Sequence, residues 1–377
     1  MSNTTITLLN LPKYPLTETF GKYNKNFKDY DMTLLYNKST SLVSVKKQVS
    51  PKILYDNKKY HFRSSHAKSQ RDTIFFLNFV KKYLNRKKVA LDIGGNDLFF
   101  ANLVKNLLSS VTVVDPISKK TKKIRNNIFI ESGYYEKIYF KKNFSFNLVI
   151  CRHTMEHISN LDLFLKKLNK DTADDCLFLF EVPDFNQLVM NKRFDAIIHH
   201  HYHYFTPYSL EKLLKRFCFE IIDFKFNKNG SCGGSFLFVF KKNKFLTKKL
   251  KFSKNNSFNL KIFKKNLIFF KNNVSKINNI ILNSKKIVYG YGAGLMLPTL
   301  EYYLRDSFKK IKILFDDDIQ KHNTGYKNIN VKVKNPNKTK IEENSLFLIT
   351  SMENKLLIKK KFLKSKSLFL SESILTL

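Results

Sequence analysis

The chain of 377 residues contains no Trp, and Gly and Pro are scarce at 11 and 8. Acidic residues are the other shortage: 30 Asp+Glu stand against 68 Lys+Arg, a net charge of +38. No apolar run approaches the ~18 residues a membrane-spanning helix needs, so no span is expected. The opening MSNTTITLLNLPKYPL has no basic region ahead of a long apolar stretch and reads as lacking a secretory signal. The four cysteines, Cys151, Cys176, Cys218 and Cys232, form no CxxC pair, which excludes a disulfide framework and a Cys-based zinc site. Three of them lie in apolar runs that read as strands, where free thiols behave as small core residues. Such thiols suit a reducing compartment, so a cytoplasmic protein is expected.

What is present in excess is equally informative. Only eight of the basic residues are Arg, and the Lys residues are spread along the whole chain. Lys, Asn, Ile and Phe use A/T-only codons, whereas the scarce Ala, Gly, Pro and Trp need G or C. An AT-rich genome writes such a chain without selection for basic function. A phosphate-backbone surface gathers its cations into a patch, so nucleic-acid binding is the lesser expectation. A positive field still favours an anionic small-molecule substrate. Hydrophobic residues at 43% and charged residues at 26% describe a folded chain long enough for two or three domains.

Residues 1–70 show short apolar runs without a convincing period. From residue 71 the pattern is regular. RDTIFFLNFVKKYL (71–84) has helical spacing, KVALDIGG (88–95) is a strand ending in two glycines, and NDLFFANLVKNLL (96–108) is a second helix with Asn96 and Asp97 as cap candidates. VTVVD (111–115), IFIE (128–131), FNLVICR (146–152) and CLFLFEV (176–182) are further strands, with helical stretches such as LDLFLKKL (161–168) among them. FEIIDFKF (219–226) and SFLFVFKK (235–242), joined by NKNGSCGG, read as a hairpin. The expected fold class is α/β: a class I methyltransferase Rossmann-like sheet over residues 71–245, parallel strands closed by an antiparallel hairpin. A helical linker (246–284) then leads to a second, C-terminal Rossmann-like domain (285–377), which begins at KKIVYGYGAG and continues through IKILFDDD (311–318) and SLFLITS (345–351).

LDIGGND (91–97) follows a strand and precedes a helix. Gly94 and Gly95 let backbone approach a ligand closely, with Asn96 and Asp97 at the start of the helix. Asp92 at the strand end suits a cationic amino group. Asp115, about twenty residues on, is placed to accept hydrogen bonds from ribose hydroxyls. Combined with the terminal hairpin, these residues point to S-adenosylmethionine; GGND is neither GxGxxG nor a P-loop. Arg152, His153 and Glu156, after the fourth strand, are expected to face the cofactor cleft, although Glu156 and His157 equally suit capping or pairing at a helix start.

IIHHHYHYF (197–205) holds four of the nine histidines within five positions. In an extended segment His199, His201 and His203 share one face. No Asp, Glu or Cys with suitable spacing accompanies them, so no metal is expected. A histidine tuned as general base is preferred to an aromatic wall of the substrate cleft. GYGAG (290–294) with FDDD (315–318) repeats the glycine-turn and acidic-strand-end pattern, suiting either a nucleotide or simple helix packing.

In order and spacing these motifs resemble the sugar C-methyltransferase family, which modifies nucleotide-linked keto-deoxysugars. LPKYPLTETF and KYHFRSS resemble the family's opening segments, LDIGGND its E-I-G-x-N-D-G loop, and FLFEVPD (178–184) its strand ending in Glu-Val-Pro. IIHHHYHYFTPYSL resembles its H-E-H-x-x-Y-F block, SCGGSF its Gly-Gly-Ser turn, and YGYGAG with FDDDIQKHNTG its C-terminal domain. The resemblance implies that His201 is the base forming an enolate that attacks the sulfonium methyl. His200 stands where the family has Glu, and Tyr60 lies in the segment that would stabilise the enolate oxygen. His199, His203 and Tyr204 would line the substrate side. The family usually carries an N-terminal zinc module; residues 1–60 contain no Cys, and that zinc is absent. Ile198 stands where some members have Tyr.

The expected activity is S-adenosylmethionine-dependent methylation of a nucleotide-activated sugar at carbon. The alternatives are an O- or N-methyltransferase of another small metabolite, a basic nucleic-acid-binding protein, and a non-catalytic relative that binds the cofactor. No N/D-P-P-[YFW] block of the amino-methylating nucleic-acid enzymes is present.

Overall fold

The computed structural model describes residues 4–55, 67–116, 127–140, 145–245, 250–364 and 374–375. It contains three sheets. The central one has seven strands: β4 (Val89–Ile93), β5 (Ser110–Asp115), β6 (Ile128–Ser132), β7 (Phe146–Arg152), β8 (Thr172–Pro183), β10 (Phe219–Asn227) and β11 (Ser235–Lys242). Their spatial order is β10-β11-β8-β7-β4-β5-β6; β11 alone runs opposite to the other six, pairing antiparallel with both β10 and β8. Runs such as VALDI and FNLVICR have almost every residue buried, as strands covered on both faces must. The chain winds outward from β4 in one direction and from β7 in the other, so the loops after these neighbours diverge and open a crevice.

The third sheet repeats this plan. Strands β12 (Val288–Tyr291), β13 (Ile311–Phe315), β14 (Val333–Lys334), β15 (Leu346–Ile349) and β16 (Ile374–Leu375) are all parallel, in the order β14-β13-β12-β15-β16. That is the order β6-β5-β4-β7-β8 of the central sheet, with its own switch between β12 and β15. The crevices of both sheets open into one cavity of about 1600 Å³.

The N-terminal segment departs from expectation. Residues read as irregular form an antiparallel sheet of β1 (Thr5–Tyr14), β2 (Tyr30–Asn37), β3 (Leu42–Val45) and, from far along the chain, β9 (His203–Tyr204). Register shifts at Thr7/Leu9 and Leu11/Tyr14 break the alternation of β1, which hides it from a period-two search. The extended His199–His203 run is likewise replaced: Phe194–Ala196 is a 3-10 turn, residues 199–200 turn again, and only His203 and Tyr204 are strand. Alternation therefore does not bring His199, His201 and His203 to one face. Cys151 and Cys176 lie in strands as expected, whereas Cys218 is exposed and Cys232 sits in a 3-10 turn.

The expected linker is a 24-residue helix, Leu260–Asn283, capped by the Asn259 side chain. It is a structural member and not a tether. Its buried residues Phe263, Phe270, Val274, Ile277 and Ile281 share one core with Leu9, Leu11 and Met32 of the N-terminal sheet and with Leu297, Leu300 and Leu314 of the third sheet's layer. No helix among the described residues is long and apolar enough to cross a membrane. Phe263 is fully buried against Phe185, Phe194 and Phe258. Replacing it with Ala is expected to cost ~3–5 kcal/mol, read as a lowered urea midpoint with far-UV circular dichroism unchanged before the transition.

Candidate functional site

The Gly94–Asn96 loop sits at the carboxyl end of β4. Gly94 has φ +72, and a Cβ there would overlap the Thr154 side chain; a Cβ on Gly95 would press on Val113 and Asp92. The loop is tied to the next strand twice: Gly94 N–H donates to the Val114 carbonyl at 2.8 Å, and Asn96 N–H donates to Asp115 Oδ2 at 2.9 Å. Gly94, Asn96 and the buried Asp115 line the cavity. Asp92, Gly95 and Asp97 support the loop instead, with Asp97 Oδ1 accepting from Phe99 N–H at the start of a shorter helix than expected, Phe99–Val104. A glycine cradle closed by a buried carboxylate fits the ribose and amino-acid ends of S-adenosylmethionine.

The third sheet presents a matching loop to the same cavity. Gly292 has φ +107 with Ser351 filling the place of a Cβ, Gly292 N–H donates to the Phe315 carbonyl at 2.7 Å, and Ala293 N–H donates to Asp316 Oδ2 at 2.7 Å. Asp317 accepts from the Tyr291 hydroxyl and from Lys361 at the cavity edge.

Beneath the first loop lies a buried ion pair. Arg152 Nε donates to Glu181 Oε2 at 2.9 Å, Nη2 stands 2.8 Å from the same oxygen, and Nη1 donates to Thr73 Oγ1 at 3.0 Å. The guanidinium stacks between Phe76 and Phe100, and Ser235 Oγ donates to Glu181 Oε1 at 2.7 Å. Arg152 lines the cavity, yet its charge is turned to Glu181 and links β7, β8, β11 and the helix Ala67–Val80. Burial works against the Glu181 charge, but Arg152 and His153 outweigh it and hold the carboxyl far below its usual value.

The four rings of the histidine block diverge. His199 donates from Nε2 to the Tyr14 carbonyl at 3.1 Å, away from the cavity. His200 lines the cavity with both nitrogens engaged, by Thr17 Oγ1 at 3.2 Å and the Leu54 carbonyl at 3.4 Å. His203 packs on Phe205 and lines a second, smaller cavity. The Tyr204 hydroxyl bonds the Ile198 backbone and serves the loop's own shape. Tyr60 lies outside the described residues.

His201 alone faces the cavity with chemically interesting company. Its ring is 5.0 Å from that of His157, and Glu156 is adjacent. Burial, then the field of His157, push His201 down to about 3, so it is a neutral imidazole. Glu156 is 1% exposed, and among the described residues neither carboxylate oxygen has a hydrogen-bond partner. Burial disfavours its charge, but His153, 3.5 Å away, with His157 and His201, holds the carboxyl at about 2. His153 is in turn raised to about 9: burial opposes its charge, and Glu181 and Glu156 overcome it. The helix Leu161–Asp171 is capped by Asn160, so Glu156 and His157 are not its caps.

Sequence reasoning missed the clamp across the cavity. Glu353 of the third sheet's layer accepts from Arg193 Nη2 at 3.1 Å and from Cys232 N–H at 2.8 Å, while Asp195 accepts from Nε and from the same Nη2 at 2.8 and 2.9 Å. No motif marks these residues; only the tertiary fold brings them together.

Removing the buried carboxylate tests the ion pair. Glu181→Gln leaves Arg152 uncompensated and is expected to cost ~3–5 kcal/mol in urea unfolding at neutral pH. Since the folded carboxyl titrates below its ordinary 4.5, its contribution is complete above that pH and is lost as pH falls below it. The wild type is therefore expected to lose stability in acid more steeply than Glu181→Gln.

Residues 65–223 match the methyltransferase domain family. A stretch of 76 residues is 34% identical to the C-methyltransferase NovU of Streptomyces niveus; it takes in 20% of this chain and 18% of that relative, well short of its full length. Among solved structures, the N-methyltransferase NodS of Bradyrhizobium japonicum WM9 in complex with S-adenosyl-L-homocysteine overlays with TM-score 0.36 at 12% identity, over 47% of this chain and 88% of that one. An S-adenosylmethionine-dependent methyltransferase structure from Methanosarcina mazei overlays with TM-score 0.36 at 15% identity, over 44% of this chain and 96% of that one. The match over residues 65–223 is to a methyltransferase domain and takes in less than half of the chain.

Proposed function

We propose that the whole protein methylates a nucleotide-linked keto-deoxysugar at the carbon beside its ketone. The observation that carries this reading is that His201 and the buried carboxylate Glu156 lie within 4.8 Å of one another in the cavity that also contains the donor loop. Carbon as acceptor is supported by the C-methyltransferase to which part of the chain is similar. S-adenosylmethionine, when bound, supplies an electrophilic methyl on a sulfonium. The residues supply the rest. Asp115 and the Gly94–Asn96 loop hold the donor, with Asp92 beneath them and His153 beside the reacting groups.

His201 takes the proton from the carbon next to the carbonyl, and the anionic Glu156 stabilises the imidazolium that results. The carbon left electron-rich then takes the methyl, which restores the ketone. Arg152 and His200 act as positioning residues, with Tyr60 proposed at the enolate oxygen. The Gly292–Ala293 turn, with Asp316 and Lys361, also lines the cavity, where an anionic nucleotide handle would anchor the sugar.

The proton-transfer half is testable alone. Incubated in deuterium oxide with a nucleotide-linked keto-deoxysugar and S-adenosylhomocysteine, the wild type is expected to wash deuterium into the position beside the ketone. His201→Ala is expected to slow this at least ~100-fold. Methyl transfer to an oxygen or nitrogen acceptor without any exchange would contradict the carbon reading.

A further inference from the structure

We infer that Glu156, His157 and His201 form a binding site for a divalent transition-metal ion. The histidine run by itself has no acidic or thiol partner at metal-ligand spacing. Here the donors come from two segments, the turn Met155–His157 after β7 and the loop before β9. Tyr202 N–H donates to the Glu156 carbonyl at 2.8 Å and fixes the two segments side by side.

Three observations converge. One ligand atom from each residue lies within 4.8 Å of the others. Metal–ligand bonds of ~2.0–2.2 Å place tetrahedral donors about 3.4 Å apart, so small rotamer shifts close the set. Glu156 is 1% exposed and aimed at the cavity, with both oxygens lacking hydrogen-bond partners among the described residues. His153 Nδ1 balances its charge from 3.5 Å without a formed hydrogen bond, so the carboxylate keeps acceptor capacity for a cation on the cavity side. Finally, His157 donates from Nδ1 to the His200 carbonyl at 2.7 Å, which leaves the Nε2 lone pair toward Glu156, 3.9 Å from Oε1. A ligating histidine is usually oriented by such a bond through its other nitrogen.

Two imidazoles and one carboxylate suit zinc, iron(II), cobalt(II) or manganese(II) over calcium or magnesium, which prefer oxygen alone. All three residues line the cavity, so the remaining coordination positions are open to it. A metal here takes the lone pair of His201. On the base reading proposed above, and only on that reading, the loaded protein cannot accept the substrate proton, and metal and proton transfer exclude one another.

The test uses the full chain and reads the metal directly. Cobalt(II) added to chelator-treated protein is expected to bind one equivalent, with an intense visible d–d spectrum of lowered coordination number, and zinc is expected to displace it. Glu156→Gln and His157→Gln are each expected to weaken binding by about 100-fold or more, since losing a group that merely orients a ligand already costs ~10–100-fold. His203→Gln, in the same histidine run but outside the set, is expected to bind as wild type does. S-adenosylhomocysteine binding by each variant verifies that it is folded. A spectrum identical to aqueous cobalt, or equal affinity in wild type and His157→Gln, overturns the site. Because His157 is not the proposed base, His157→Gln retaining deuterium exchange while losing cobalt separates the metal site from the base assignment.

Discussion

The Arg152–Glu181 ion pair is the constraint on which the cavity depends. Two opposite charges are taken fully out of water at the carboxyl ends of adjacent strands, where an α/β sheet opens its crevice. Such a pair is costly to desolvate and holds only if its remaining hydrogen-bonding groups are met. Thr73 and Ser235 meet them by hydrogen bonds, and Phe76 and Phe100 sandwich the guanidinium, the four drawn from two helices and strand β11. The floor beneath the glycine loop is thereby cross-linked by polar geometry as well as by packing, and His153, Glu156 and His201 stand on it at fixed distances.

Above that floor the protein uses one device twice. In both α/β units a glycine with positive φ follows the first parallel strand, its N–H bonds a carbonyl at the end of the next strand, and the carboxylate one residue on accepts a further backbone N–H of the glycine loop. The two loops face one cavity, and the Arg193–Glu353 clamp spans it. The helix Leu260–Asn283 and the N-terminal sheet share a core with the second unit, so the cleft is framed by one continuous packed body. This arrangement suits a two-part ligand, a donor at one loop and the handle of an acceptor at the other.

Much of this was legible in the sequence. KVALDIGG, VTVVD, FNLVICR and FLFEVPD announce buried parallel strands because almost every position is apolar, and the hairpin announces itself through NKNGSCGG. The donor loop is local: its two glycines are contiguous, and Asp115 is the next strand end. What stayed hidden is non-local. Strand β1 carries two register irregularities, and β9 is two residues pairing across about 160 positions of chain. The histidine run misleads because an extended reading puts three rings on one face, whereas the turns between Phe194 and His201 send them to three different neighbours. Glu353 and Arg193 carry no signal short of the fold itself.

The central claim is that the Gly94–Asn96 loop, closed by Asp115, binds S-adenosylmethionine. Calorimetric titration of the purified protein with S-adenosylmethionine and S-adenosylhomocysteine tests it most directly, with Asp115→Ala measured alongside. The wild type is expected to bind in the micromolar range and the variant at least ~10-fold more weakly, the size of one lost charge-assisted hydrogen bond. Absence of binding at millimolar ligand, or equal affinity in wild type and Asp115→Ala, would contradict it.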